Sequence, residues 1–335
     1  VENDVVDVAT QATTEGDAVA FDRAKALARF KFGDQFFHGL TFAAAMAVLI
    51  LLGGVILSLV LGSLPAIQEY GFGFFVSEVW NPVTDKYGAA ASIYGTVVTS
   101  IIAMAIAIPI GLGIAIFLSE LCPQGLRQPI GIAIELLAGI PSIIYGIWGL
   151  FILAPLVQQY FEPGVIAFFG PIPGLNLLFK GPPYGIGIFT AGFILAIMVL
   201  PFISSISRDV FATVPPVLKE SAYGLGFTTR EVVGNVVIPY TRVGIIGGVM
   251  LALGRALGET MAVTFVIGNA HRVSTSILAP GTTISATIAN EFTEAVGSLY
   301  TSALIELGLI LFLITFVVLA VARYMLMRIE QKGAR

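Results

Sequence analysis

Six stretches of this sequence carry little or no charge: residues 40–61, 92–118, 130–157, 185–206, 243–268 and 303–325. A bilayer's hydrocarbon core is about 30 Å thick, and an α-helix needs about 20 apolar residues to cross it. Lipid offers the backbone no hydrogen-bond partner, so only helices and closed barrels cross it. These runs are long enough for such helices. They predict an all-α membrane protein with six spanning helices. Composition agrees: 57% of the 335 residues are apolar and 11% charged, where a soluble domain carries about 25% charged residues. Pro109, Pro141 and Pro201 fall inside apolar runs and are expected to kink them.

Lysine and arginine set the predicted orientation, because short cytoplasmic loops collect them. With the N-terminus inside, thirteen fall in cytoplasmic segments, including Arg23, Arg127, Arg208, Lys219, Arg230 and Arg328. Lys86, Lys180 and Arg272 are left outside. Both termini are therefore expected in the cytoplasm. Residues 1–36 are expected to form a cytoplasmic extension, either unstructured or a helix lying on the membrane surface. The first thirty residues lack the apolar core of a cleavable signal. Residues 37–330 form the membrane domain, with its core at about 92–325 and a cytoplasmic loop at 207–242. The segment 271–300 reads as a polar insertion that re-enters or caps the outer face.

Several chemistries are excluded early. One cysteine, Cys122, allows neither an internal disulfide nor a cysteine metal site. The two histidines, His38 and His271, are far apart in the sequence and read as interfacial. No lysine follows a glycine, so no P-loop is present. No cofactor or metal is expected on the chain. An intramembrane enzyme such as a lipid-modifying transferase would need carboxylate pairs or histidine at a span end. None is evident, so no catalytic role is expected.

Two segments carry the functional reading. Residues 220–239, ESAYGLGFTTREVVGNVVIP, read as two short helices broken near Gly224 and Gly226. Leu218, Ala222 and Leu225 give the first an apolar stripe, while Lys219, Glu220, Arg230 and Glu231 stay wet. Such a loop has no nucleophile–base pair, but it suits docking into a partner's groove. The second segment surrounds Arg255, about twelve residues into the fifth run. At 1.5 Å per residue that is roughly 18 Å deep, where an arginine must face the bundle interior or water. Glu259 is expected four residues on, on the same helix face, with Thr260 and Thr264 nearby. Two roles stay open: a buried ion pair that orients helices, or a transient site for a crossing oxyanion whose hold Glu259 weakens. A carboxylate there tolerates hydrogen phosphate, which keeps a proton, and repels sulfate. In the third run, Ser142, Tyr145 and Trp148 recur at spacings of three and are candidates to line the path. Glu135 reads better as a carboxyl near the cytoplasmic end.

Glu220-Ser221-Ala222, Gly226, Val236, Ile238 and Pro239 resemble the EAA loop of ABC-importer permeases. Ser221 and Val236 depart from its usual Ala and Ile. The segment 254–262 (GRALGETMA), the segment 135–149 (ELLAGIPSIIYGIWG) and Ser92-Ile93-Tyr94-Gly95-Thr96 are similar to phosphate-specific ABC transporter permeases, the C-type subunit more than the A-type. This resemblance covers about residues 70–335. It implies the type I ABC importer permease fold in a bacterial cytoplasmic membrane and ATP-driven import of phosphate by alternating access. It also implies an A-type permease partner, two ATPase subunits that hold ATP and magnesium, and an extracytoplasmic phosphate-binding protein. Nucleic acid is not expected as a partner. Glu220, Ser221, Ala222, Gly226 and Pro239 then couple to the ATPase. Arg255, Glu259, Thr260, Ser142 and Tyr145 then belong to the substrate pathway. The rival reading is the same machine moving molybdate, tungstate or sulfate.

Overall fold

A computed structural model describes residues 2–333, with side chains over 33–328. Expectations for the side chains of residues 1–32 lie outside that set. Among the described residues regular structure is helical, with one isolated antiparallel bridge, Asn81–Lys86. The chain forms two compact units, Val1–Ser58 and Leu59–Arg335, which divide inside helix α1 (Glu2–Tyr70). In the first unit α1 exposes Phe42, Leu49 and Leu51. The second unit carries the remaining elements and both candidate sites.

Among the described residues, six helices are long and apolar enough to cross a membrane. They are residues 33–70 of α1, α2 (Ala90–Leu121), α4 (Ser142–Phe169), α5 (Ile188–Ala212), α7 (Thr229–Gly258) and residues 298–328 of α10 (Ser298–Gly333). Between α2 and α4 lies α3 (Gln124–Ala138); between α5 and α7 lies α6 (Pro216–Gly224). Helix α8 (Met261–Thr264) and helix α9 (Ile284–Glu291) follow α7.

Two boundaries differ from the sequence expectation. The third span begins at Ser142, because Gly139 ends α3 and the extended Pro141 starts a new helix. Pro141 therefore separates two helices where a kink was expected. The fifth span begins at Thr229 and ends at Gly258. The expected second short helix of the 220–239 loop is the start of α7, and the apolar residues beyond 258 are not part of that span.

Helix α5 is central. Two-thirds of its most apolar window is buried, twice the share of any other span. Its Ile194, Leu195, Met198, Val199 and Ile203 pack with Ala103 and Ala107 of α2 and Ala252 and Ala256 of α7. Small residues let these backbones approach closely, as membrane helix packing requires.

Among the described residues, four turns within the helices are wound wider than an α-helix: Phe117–Leu121, Gly149–Leu153, Val157–Phe161 and Val233–Val237. Each ends two residues before a proline, namely Pro123, Pro155, Pro163 and Pro239. In each, the N–H just before the proline donates to the carbonyl five residues back, as Cys122 does to Phe117 at 2.7 Å. Proline lacks an N–H and its ring clashes with the carbonyl four residues back. The wider turn moves that carbonyl aside, so the helix continues through Pro155, Pro163 and Pro239.

The 268–291 segment folds back onto α2. The Thr282 carbonyl lies where a Cβ on Gly95 would stand, 1.8 Å from it. Thr96 Oγ1 accepts from Ile284 N at 2.9 Å, and Ser92 Oγ lies 3.1 Å from Thr287 Oγ1. The non-helical backbone at Thr282 and Thr283 is buried in protein, the setting in which membrane proteins tolerate it. The obstacle at Gly95 is backbone, so Gly95→Ala should lower stability by about 2–3 kcal/mol. Thermal unfolding of the detergent-solubilised assembly reads this as a lower midpoint; an unchanged midpoint would refute the close approach.

Candidate functional site

The Arg255 region is a helix end. Helix α7 stops at Gly258, and Glu259 is already extended (φ −69°, ψ 131°). The expectation that Arg255 sits in mid-helix with Glu259 on the same face is therefore corrected. Arg255 occupies the last turn, where the helix dipole favours a cation. Its guanidinium lies over the Phe202 ring of α5, 4.4 Å from the centroid. Among the described residues no ion pair joins Arg255 to Glu259. Glu259 Oε1 instead accepts from Ala262 N at 3.4 Å at the start of α8. Thr260 Oγ1 donates to Gly258 O at 3.3 Å, and Thr264 Oγ1 to Thr260 O at 2.7 Å. Arg255 is exposed within this chain, while Glu259 and Thr260 are half-buried.

The structure brings two of the three phosphate-permease-like segments together, 135–149 and 254–262. A Cβ on Gly146 would come within 2.8 Å of Phe265 Cδ2 and 3.1 Å of Met261 O, so glycine lets α4 lie against α8. Tyr145 is buried, and its hydroxyl donates to Leu137 O at 2.8 Å across the α3–α4 break. Ser142 is half-buried at the start of α4, and Trp148 is exposed. Glu135 pairs with Arg208 of α5 and lies in α3, outside the third span in which the sequence had placed it.

The 220–239 loop is capped at both sides of its break. Phe227 N donates to Ala222 O at 3.2 Å and Gly226 N to Tyr223 O at 2.9 Å, with Gly226 at φ +86°. This is a Schellman stop, for which glycine is the usual residue. Two residues later Thr228 N donates to Glu231 Oε2 at 2.8 Å, and Thr228 Oγ1 accepts from Glu231 N at 3.4 Å, a capping box that starts α7. Ala222 is buried with Ala115, Phe211 and Val232. Val217, Leu218, Tyr223 and Leu225 are exposed, Leu225 at 79%. Most of the apolar stripe therefore faces outward, and Ala222 alone anchors it. Glu220, Ser221 and Pro239 are exposed as well.

Between α3, α5 and the end of α2, with Lys219 the contribution of α6, lies a polar cleft of about 720 Å³, lined by Arg127, Arg208, Glu135, Asp209 and Gln128 among others. Lys219 Nζ is 2.6 Å from Glu120 Oε1 of α2, and the side chains are only 21% and 7% exposed. Lys219 was expected to be solvated, and Glu120, 99 residues earlier, carried no sequence signal.

The chain's amino-acid sequence is 69% identical over 315 residues to the phosphate transport system permease protein PstC of Mesorhizobium japonicum, spanning 94% of this chain and 96% of that one. This chain belongs to the PstC family of phosphate transport system permeases. The PstC proteins of Pasteurella multocida and Haemophilus influenzae are 58% and 54% identical, over 87% and 89% of this chain and 91% and 94% of their own lengths. No protein-family model matches the chain. Among solved structures, a chain of the MetNI methionine ABC transporter superposes with a TM-score of 0.52 at 15% identity, covering 71% of this chain and 94% of that one. A chain of a bacterial alginate ABC transporter gives 0.53 at 18% identity, covering 84% and 95%. The fold is thus the ABC importer permease fold, and this PstC-family chain is a multi-pass inner-membrane protein.

At the end of the 268–291 segment, Glu291 Oε1 is 2.9 Å from His271 Nε2, and Oε2 accepts from Trp80 Nε1 and, at 2.7 Å, from Tyr300 OH. Trp80 stacks on His271 with centroids 5.4 Å apart. Burial alone would raise the Glu291 carboxyl, but the hydrogen bonds from His271, Tyr300 and Trp80 outweigh it and hold it below the usual 4.5. A depressed folded value stabilises the fold above the ordinary value, and that stability is lost as pH falls through the folded one. Wild type should therefore lose thermal stability more steeply than Glu291→Gln on acidification below pH 4.5. Parallel melting curves would remove the cluster from the acid response.

Proposed function

We propose that this chain forms the membrane passage for inorganic phosphate in an ATP-driven importer, and that it works by alternating access. The 69% identity to a phosphate permease across 94% of the chain carries this reading. Nucleotide and magnesium belong to partner ATPase subunits, and the chain makes no covalent change itself. Two ATPases, a homologous A-type permease and an extracytoplasmic phosphate-binding protein complete the assembly. Helix α6 presents Val217, Leu218, Tyr223 and Leu225 outward, which suits a cleft on the ATPase. Helices that stop inside a membrane bundle and leave polar groups at the break commonly build substrate sites. The break at Gly258–Glu259, with Arg255 before it and Thr260 after it, has that form.

In this scheme α6 faces the cytoplasm. ATP binding closes the ATPases, α6 moves with them, and the bundle opens outward to receive phosphate; hydrolysis resets it. Arg255 attracts the anion, and Glu259 keeps the hold weak enough for release, as conduction requires. Glu259 also accepts a hydrogen bond from the P–OH of hydrogen phosphate, a donor that sulfate lacks.

The test is ATP-dependent uptake of labelled phosphate and sulfate by vesicles holding the full assembly. Wild type should take up phosphate only with ATP. Glu259→Gln should cut the preference for phosphate over sulfate by about tenfold, the worth of one charge-assisted contact. An unchanged preference would take Glu259 out of selectivity, and ATP-dependent uptake of another oxyanion in place of phosphate would refute the substrate.

A further inference from the structure

Helix α6 is joined covalently to α5 and α7, since it lies between them in the chain. Helix α2 has no such connection, although it packs along α5 through Gly111 and Gly192, whose missing side chains admit Ile203 and Ile102. We infer that the Lys219–Glu120 ion pair is the joint that passes movement of α6 to the end of α2. This rests on the reading of α6 as the seat of the ATPase.

Three observations carry it. The pair is short and shielded, at 2.6 Å with Glu120 only 7% exposed. A charge held in that setting is costly once its partner leaves, so the two side chains move together. Glu120 also sits in the wide turn Phe117–Leu121, a segment with only one free end because Cys122 and Pro123 leave the helix. Finally, Arg127 Nη2 donates to Ser119 O at 2.7 Å, and Arg208 pairs with Glu135. The turn is thereby tied to α3, and α3 to α5, so a pull on Glu120 is resisted by the bundle and not absorbed by a loose end. Ala222 gives α6 an apolar anchor, but apolar contacts slide, whereas a shielded ion pair fixes one point to another. Lys219 and Glu120 are positioning residues: neither is near Arg255 in the chain, and neither is assigned to substrate.

The experiment uses the complete assembly in proteoliposomes, with Lys219→Met, Glu120→Gln, Lys219→Arg and the exchange Lys219→Glu with Glu120→Lys. Phosphate moved per ATP hydrolysed is one readout. The other is the ATP-induced change of a fluorophore at Ile110→Cys on α2, in a Cys122→Ser background, which does not depend on the identity of the substrate. The single neutral variants should still bind the ATPase and hydrolyse ATP. Their phosphate-to-ATP ratio should fall about tenfold, and the α2 signal should disappear. The Arg variant and the exchange should return both to within about threefold of wild type. A merely structural pair would lower the melting temperature and leave the ratio and the signal of the assembled fraction unchanged, which would overturn the inference. Single variants that fail to assemble leave the decision to the exchange: both readouts recovered uphold the joint, and neither recovered refutes it. If wild type shows the α2 signal yet moves no phosphate, the substrate assignment fails, and the joint stands or falls on the signal alone.

Discussion

Arg255→Ala should assemble with its partner subunits, bind and hydrolyse ATP, and lose phosphate uptake by about 100-fold. The expectation of normal assembly comes from the side chain's contacts. Within the chain Arg255 has the face of Phe202 and no carboxylate partner among the described residues. Losing a cation–π contact at an exposed site costs about 0.5–1 kcal/mol, too little to unfold a bundle centred on α5. A charged contact to a passing anion is worth about 1.5–3 kcal/mol, and about 2.7 kcal/mol corresponds to the hundredfold loss. Lys at this position should recover part of the rate, because it keeps the charge and lacks the planar fork that grips two oxygens. Uptake by Arg255→Ala within threefold of wild type would exclude it from the pathway. A variant that never assembles would make Arg255 a structural residue, paired across the interface with a neighbouring subunit.

Gly226→Asp should leave a folded chain that no longer retains the ATPase, so that ATP-driven uptake falls to background. Gly226 has φ +86°, and an added Cβ would meet nothing within 4 Å. Strain at a positive φ costs a side chain about 1 kcal/mol, which the fold survives. The damage lies in what the carboxylate adds: a charge beside Leu225 and Phe227 on the outward apolar surface of the loop. Gly226→Ala separates the two causes, because it brings the strain without the charge and should keep most of the association. Co-purification of ATPase with each variant reads the result directly. Full retention by the Asp variant would mean that the loop does not dock there.

Hydropathy made the six spans legible, because uncharged runs of that length have few other fates. The third and fifth were misplaced for opposite reasons. An interruption at Gly139 and Pro141 was foreseen, but apolar residues continue through both, so it reads as a kink within one span where the backbone breaks. Arg230, Glu231, Asn235 and Arg242 made the start of α7 look like loop, although a helix persists beyond the hydrocarbon. Moving that helix moved Arg255 from mid-span to the last turn and removed the shared face with Glu259. The loop itself was partly legible: the break at Gly226 was foreseen, while the Thr228-to-Glu231 capping pattern that restarts the helix stood in the sequence unused. Lys219 and Glu120 lie 99 residues apart, and no local pattern links them. Tyr145 was singled out by its spacing alone, and its hydrogen bond to Leu137 O across the α3–α4 break had no signal in the sequence.

The wide turns before Pro155, Pro163 and Pro239 bear on how such a chain can change over generations. A turn with i-to-i+5 bonding is what one surplus residue looks like inside a helix. Removing that residue would restore ordinary winding and leave the residues beyond it nearly in phase. It would, however, bring a carbonyl against the proline ring two residues on. The prolines thus act as ratchets on length: the surplus residue, once accommodated, cannot be shed unless the proline is lost as well. Descent through these three positions should proceed by substitution, with single-residue deletions appearing only where the proline has already gone.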